Sequence, residues 1–223
     1  MESRFGLVDT LLLTDYLKTF VPKRDDLLKQ IEQEGLEDRI PIADPQTAGL
    51  LYLLAKIHNS KRVLEIGTAT GYSTIWLARA VAPYGKVTTI EINHLRHRRA
   101  REYFQRAGLE NNITTYLGDA LNVLPQLSGD FDFIFMDAAK GQYISFFEHA
   151  YELLAPGGIL VADNVLFKGM VAPGAKYPRR KRTLLVRLRE FLRMLDEHPN
   201  LVTSILLLGD GVALCFKERK ELS

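Results

Sequence analysis

The stretch VLEIGTATGYST, residues 63–74, runs from an aliphatic segment through a turn holding Gly67 and Gly71 into residues suited to a helix start. Strand, glycine turn and helix in that order form the opening unit of a doubly wound α/β sheet. Its first turn lies at the carboxyl edge, where such sheets bind ligands. The spacing here is G-x-x-x-G. It lacks the third glycine of G-x-G-x-x-G and the Gly-Lys-Ser/Thr of a phosphate loop, so a phosphate cradle is disfavoured.

Outward from that turn the pattern alternates. RVLEI (62–66), KVTTIE (86–91), ITTYL (113–117), FDFIFMD (131–137) and GILVAD (158–163) read as strands, with helical segments near 73–80, 94–107, 120–127 and 143–154 between them. Regular alternation predicts a parallel sheet with helices on both faces. Upstream, helices are expected over 5–19, over 22–34 opened by Pro22, and over 44–58. Downstream, a helix over 180–197 precedes VTSILLL and GVALCFK, which the turn Gly209, Asp210, Gly211 joins as an antiparallel hairpin. The expectation is an α/β Rossmann-like, doubly wound, seven-stranded sheet, mostly parallel, with a C-terminal antiparallel hairpin. Residues 1–60 add N-terminal helices, residues 61–223 form the core, and no domain boundary is proposed.

Composition sets bounds. The chain has 223 residues, 47% hydrophobic and 25% charged, with a formal net charge of +2, ordinary values for a globular protein. The charge is clustered: Arg96, Arg98, Arg99 and Arg101 crowd one segment, and Lys176, Arg179, Arg180, Lys181 and Arg182 another. Clusters of this kind suit a local polyanion contact, although solvated helix faces also produce them. The lone Cys215 excludes an intrachain disulfide and fits a reducing cytoplasm. Neither a signal peptide nor a membrane span is read in the N-terminal stretch.

Chemistry-bearing residues gather at the expected strand ends. Glu91 ends the second strand, placed to accept hydrogen bonds from ribose hydroxyls, and ribose without pyrophosphate points to S-adenosylmethionine rather than a dinucleotide. Asp137 ends the fourth strand with Lys140 three positions on, either as reactive groups or as a solvated i,i+3 ion pair. Asp163 and Asn164 end the fifth. Two carboxylates and an amide oxygen form a hard-oxygen set suited to Mg²⁺, Mn²⁺ or Ca²⁺, whereas either Asp163 or Asn164 alone would read as a turn or cap.

LEIGTATGYS, TIEIN, GDAL, MDAAKGQY and ADNVLFKG occur in order, and from about residue 40 onward the chain resembles the cation-dependent class I S-adenosylmethionine O-methyltransferases of the catechol and caffeoyl-coenzyme A type. The resemblance implies that Asp137, Asp163 and Asn164 hold the metal and that Lys140 is the catalytic base, acting with Asp137. It implies that Ile42, Glu65, Gly67, Gly71, Ser73, Glu91, Asp119, Ala120 and Asp137 line the cofactor site. Catechol-type members have an aromatic after the first metal-binding aspartate; here Ala138 and Ala139 follow, leaving room for a larger acceptor. Within the family, DAAKGQY, DNVLFKGMVA and GDGVAL with a basic segment look most like the bacterial tRNA 5-hydroxyuridine methyltransferases. That similarity implies a tRNA anticodon loop held by Lys176, Arg179, Arg180, Lys181 and Arg182. The alternative is a small catechol-type or caffeoyl-coenzyme A-type acceptor, and an RNA-binding protein with a vestigial cofactor site is a third reading. The family also implies a homodimer built partly with the N-terminal helices.

Overall fold

The five alternating apolar runs become parallel strands in the computed structural model, which describes residues 10–219. They are β1 (Arg62–Ile66), β2 (Lys86–Glu91), β3 (Ile113–Leu117), β4 (Phe131–Met136) and β5 (Leu154–Ala162). Two further strands, β6 (Leu201–Leu206) and β7 (Val212–Lys217), form the expected hairpin. β7 inserts antiparallel between β5 and β6, giving the order β3-β2-β1-β4-β5-β7-β6. β4 sits at the centre, and residues 133–136 of it are fully buried. That is why its sequence reads as a continuous apolar run rather than an alternating one.

Period-two alternation still divides the side chains between two layers. Val63, Phe133, Phe135 and Val161 face one layer, containing α2 (Asp26–Glu37), α3 (Pro45–Ile57), α4 (Tyr72–Val81) and α5 (His94–Arg106). Leu64, Ile134, Met136 and Leu160 face the other, containing α6 (Ala120–Val123), α7 (Tyr143–Leu153) and α8 (Arg182–Asp196). A further helix, α1 (Thr10–Leu17), continues as a 3₁₀ turn to Phe20; positions 5–9 of the helix expected there lie outside the described residues. No helix among the described residues is long and apolar enough to cross a membrane.

Several boundaries differ from the sequence expectation. Pro22 does not open α2; the helix begins at Asp26, where the Asp25 carboxylate accepts from the Leu28 amide at 3.0 Å and supplies the cap. The helix expected over 120–127 stops at Val123 and tightens into a 3₁₀ turn, because Pro125 has no N–H to donate. In α8 the buried stripe is Leu185, Leu188, Phe191 and Leu195, with Leu184 only half-buried. Arg189 donates to the carbonyls of Val171 and Met170 at 2.8 and 3.2 Å, tethering the segment that follows β5. Cys215 packs in the core on β7, and burial pushes its thiol up to about 11, so it behaves as a small hydrophobe.

The first glycine turn is held by a carboxylate with no access to water. Glu65 on β1 is fully buried; its Oε1 accepts from Ser73 Oγ at 2.6 Å, and its Oε2 accepts from Thr89 Oγ1 at 2.6 Å and from Thr74 Oγ1. One side chain thereby ties β1 to β2 and to the first turn of α4. Burial outweighs the three hydroxyls and pushes Glu65 up from 4.5 to about 7. A raised carboxylate pKa means that the folded state binds more protons than the unfolded one between those values, so stability falls as pH rises through that window. Glu65→Gln should flatten this dependence by up to about 1.4 kcal/mol per pH unit, read from denaturant midpoints between pH 5 and 7. Parallel wild-type and variant curves would refute it.

Candidate active site

Sheet hydrogen bonding carries three loops to one edge. The Asp137 amide donates to the Ile66 carbonyl at 2.9 Å, and the Asp163 amide to the Met136 carbonyl at 2.9 Å. The ends of β1, β4 and β5 are therefore level. Gly67 has φ +105°, and a Cβ there would overlap the Asp137 carbonyl; only glycine lets the two loops touch. At Gly71, with φ +88°, a Cβ would collide with the Phe104 ring of α5; this glycine is the N-cap of α4.

These loops enclose a cavity of about 290 Å³ whose lining includes Gly67, Glu91, Asp119, Ala120, Asp137 and Lys140. Glu91 is nearly buried, and its oxygens accept from the amides of Ala69 and Asn93, both at 2.8 Å. These bonds fix the carboxylate against the glycine turn, and an ionised carboxylate has acceptor capacity left for a ligand hydroxyl. Asp119 caps α6 by accepting from the Leu121 amide at 2.9 Å. Ile42 and Ser73 line a narrow side cleft with Gly67 and Asp137. Of the residues expected around the cofactor, Glu65 and Gly71 stand behind the cavity and shape its wall.

Beside the cavity, Lys140 Nζ donates to Asp137 Oδ1 at 2.7 Å, with about one-fifth of each side chain exposed. Asp163 is 1% exposed, and its Oδ1 accepts from the Asn164 amide at 2.7 Å. Asn164 adopts φ +56°, a left-handed conformation that asparagine tolerates better than most residues. Burial first, and the charge of Asp137 second, raise the Asp163 carboxyl above the ordinary carboxylate range, and Asp44 adds to the effect. Lys140 is the cation opposing them. Two acidic groups pressed together away from water fit a bound cation, which would supply the compensating charge. Among the described residues no group of three or more His, Cys, Asp or Glu converges.

Tyr143 and Arg187 complete the site from below, and sequence reasoning passed over both. The buried Tyr143 hydroxyl donates to the Asp163 and Met136 carbonyls at 2.9 and 3.2 Å, clamping the ends of β4 and β5. Its ring packs edge-on against Phe191 of α8 at 5.2 Å. Arg187 of α8 donates to the Gly141 carbonyl at 3.0 Å, next to Lys140. The phrase AKGQY carried the signal for Tyr143: an aromatic one helical turn beyond an apolar strand. The basic segment leads directly into α8. Lys176, Arg179, Arg180 and Arg182 are exposed, Lys181 lies 5.2 Å over the Phe167 ring, and none of the five forms an ion pair among the described residues.

Comparison with known proteins shows the family. The O-methyltransferase family profile matches residues 23–218. The chain is 32% identical to caffeoyl-CoA O-methyltransferase 2 of Populus trichocarpa, over 92% of this chain and 90% of that protein. It is 38% identical to the catechol O-methyltransferase of Mycobacterium tuberculosis, over 76% of this chain and 77% of that protein. The crystal structure of the O-methyltransferase TomG from Streptomyces achromogenes, in complex with SAM, superposes with a TM-score of 0.83 at 30% identity, covering 93% of this chain and 96% of that one. Glu91→Gln should weaken S-adenosylmethionine binding by about 1.5–3 kcal/mol, the scale of a charged hydrogen bond, measurable by calorimetry. An unchanged dissociation constant would remove Glu91 from the cofactor contact.

Proposed function

The chain belongs to the S-adenosylmethionine-dependent O-methyltransferase family, and within it we propose divalent-metal-assisted methylation of a hydroxyl that has a second oxygen beside it. The carrying observation is the pair Asp137 and Asp163 at level strand ends, with Asp163 buried and Lys140 as the opposing cation. Asp137, Asp163 and Asn164 would hold Mg²⁺ or another hard cation such as Mn²⁺ or Ca²⁺. When bound, such an ion grips paired oxygens and lowers the pKa of the hydroxyl, and S-adenosylmethionine supplies a methyl group on a sulfonium.

The side chains of this protein carry the remaining steps. Lys140 Nζ, three residues from Asp137 on a short 3₁₀ turn, takes the hydroxyl proton as the free amine, after the ammonium has given up its own proton to solvent and its hydrogen bond to Asp137. The resulting oxyanion attacks the methyl carbon in line, the bond from that carbon to sulfur breaks, and S-adenosylhomocysteine leaves as a neutral thioether. No covalent intermediate with the protein is needed, so orientation and electrostatics carry the catalysis. Gly67 and Glu91 hold the methyl donor, and Ala138 and Ala139 leave the acceptor side of the cavity open.

The names of the relatives support a small catechol-type or caffeoyl-CoA-type acceptor. One feature of this chain favours a larger one, the run of five cations at 176–182, without ion pairs among the described residues and leading into α8. Our reading is therefore 5-hydroxyuridine at the wobble position of tRNA, methylated to 5-methoxyuridine. Its 5-hydroxyl and 4-carbonyl are adjacent, as in a catechol, and an anticodon-loop base can be splayed into a pocket. The same reading places the protein in the cytoplasm. Exposed Tyr16 and Leu17 on the first helix, Phe20 on the turn after it, and Leu53 and Ile57 on α3 support a homodimer through the N-terminal helices.

Exhaustive chelation should abolish turnover, and Lys140→Met should lower it roughly 10²–10⁴-fold, the range for removing a general base, with S-adenosylmethionine affinity retained. Full activity without divalent metal would sink the metal assignment. Replacing Arg179, Arg180, Lys181 and Arg182 by alanine should weaken tRNA binding and flatten its salt dependence while turnover of a free catechol or of the nucleoside stays near wild type. Equal loss on tRNA and small acceptors, with a lowered melting temperature, would instead mark the segment as structural. Nucleoside mass spectrometry of tRNA from a deletion strain should show 5-hydroxyuridine accumulating. An unaltered nucleoside profile would leave the small-molecule acceptor.

A further inference from the structure

The arginine cluster on α5 has no part in the chemistry above, and its members differ sharply in their bonding. Arg99 pairs with Asp38 at 2.5 Å, and Arg106 donates to Gln30 at 2.6 Å and lies over the Tyr103 ring. Both staple α5 to α2. The side chains of Arg96, Arg98 and Arg101 make no ion pair or hydrogen bond among the described residues, although Glu102 lies one turn beyond Arg98. Arg96 lines the cofactor cavity and also an adjoining hollow of about 520 Å³ that it shares with Arg98. Arg98 and Arg101 continue into a larger hollow of about 890 Å³ between α5 and the edge strand β3. Within that hollow, the buried Nε2 of His97 has no hydrogen-bond partner. Glu102 and Glu110 also line it, so it is not uniformly positive.

We propose that this face of α5 is a second phosphate-contacting surface for the RNA acceptor, lying across the cofactor mouth from residues 176–182. The inference rests on the tRNA reading above. The sheet order supports it: α5 follows β2 on one side of the central strands, whereas the basic segment follows β5 on the other. A folded RNA that inserts one base over β4 and β5 extends past the mouth in both directions, and its backbone needs cations on both flanks. Arg98 and Arg101 are exposed and three residues apart on one helix face, spaced to meet successive phosphates. The two carboxylates would discourage a phosphate from seating deep in the hollow. The backbone therefore tracks along the arginine ridge.

The test uses the full chain and an unmodified transcript of the tRNA anticodon stem-loop, titrated over a range of salt concentrations. Wild type, Arg98→Ala/Arg101→Ala and the quadruple alanine variant of residues 179–182 are compared. Losing two phosphate contacts should lower the slope of log K against log salt by about 1.4–1.8 and weaken binding roughly tenfold at low salt. Affinity for S-adenosylmethionine and turnover of a free catechol should stay at wild-type values, since neither arginine enters the cofactor cavity. Arg98→Glu/Arg101→Glu should weaken RNA binding further. If wild type binds the RNA with a salt slope that only the 179–182 variant lowers, the α5 surface is refuted and the tRNA reading stands. If wild type shows no salt-dependent RNA binding, the tRNA reading fails and this inference fails with it.

Discussion

One backbone hydrogen bond, from the Asp137 amide to the Ile66 carbonyl, sets the geometry of the whole site. It levels β1 and β4 at their carboxyl ends, and the missing side chain of Gly67 lets the loops that leave them touch. The wall that would hold a methyl donor and the carboxylate that would hold a cation thus share one contact. A residue larger than glycine at position 67 would separate them. Methyl transfer requires donor and acceptor within a near-attack distance, and displacements of about 1 Å can cost a hundredfold in rate. The close approach at Gly67 is therefore a constraint on chemistry as much as on folding.

Around that contact the protein concentrates its unfavourable electrostatics. Glu65 and Asp163 are buried carboxylates, and the two are satisfied differently. Glu65 has three hydroxyl donors, and its surroundings are closed. Asp163 has one backbone amide on its carboxylate, a like charge nearby in Asp137, and Lys140 as the opposing cation. A closed network suits a structural brace, and an under-compensated one suits a ligand site.

How much of this could be read from the sequence depended on the range of the interaction. Strand identity and order of appearance were legible because β1 to β5 are apolar runs punctuated by glycine and acidic residues. The level ends of β4 and β5 followed from parallel topology, which brought Asp137 and Asp163 together without any local motif linking them. Caps were harder to place: Asp25 rather than Pro22 starts α2, because a side-chain acceptor for an orphan amide outweighs a ring that merely fixes φ. Contacts between distant segments were illegible. Nothing local to Arg189 shows that it holds the carbonyls of residues 170 and 171, or that Tyr143 reaches back to Met136 and forward to Asp163. Glu65 was legible as an acid beside the turn, but its three hydroxyl partners come from two different elements, and only the folded chain makes it a brace.

The position of β7 has a consequence for biosynthesis. The strand that delivers Asp163 has β4 on one side and β7 on the other, with Leu160 opposite Cys215 and Ala162 opposite Ala213. During synthesis β5 emerges some fifty residues before that second neighbour, and β6, although made earlier than β7, can join the sheet only through it. At about 5–20 residues per second, the open apolar edge of β5 persists for seconds on the ribosome. The nascent chain is thus most exposed to misassociation along the strand that positions Asp163, and the last of the described strands to be made is the one that covers it.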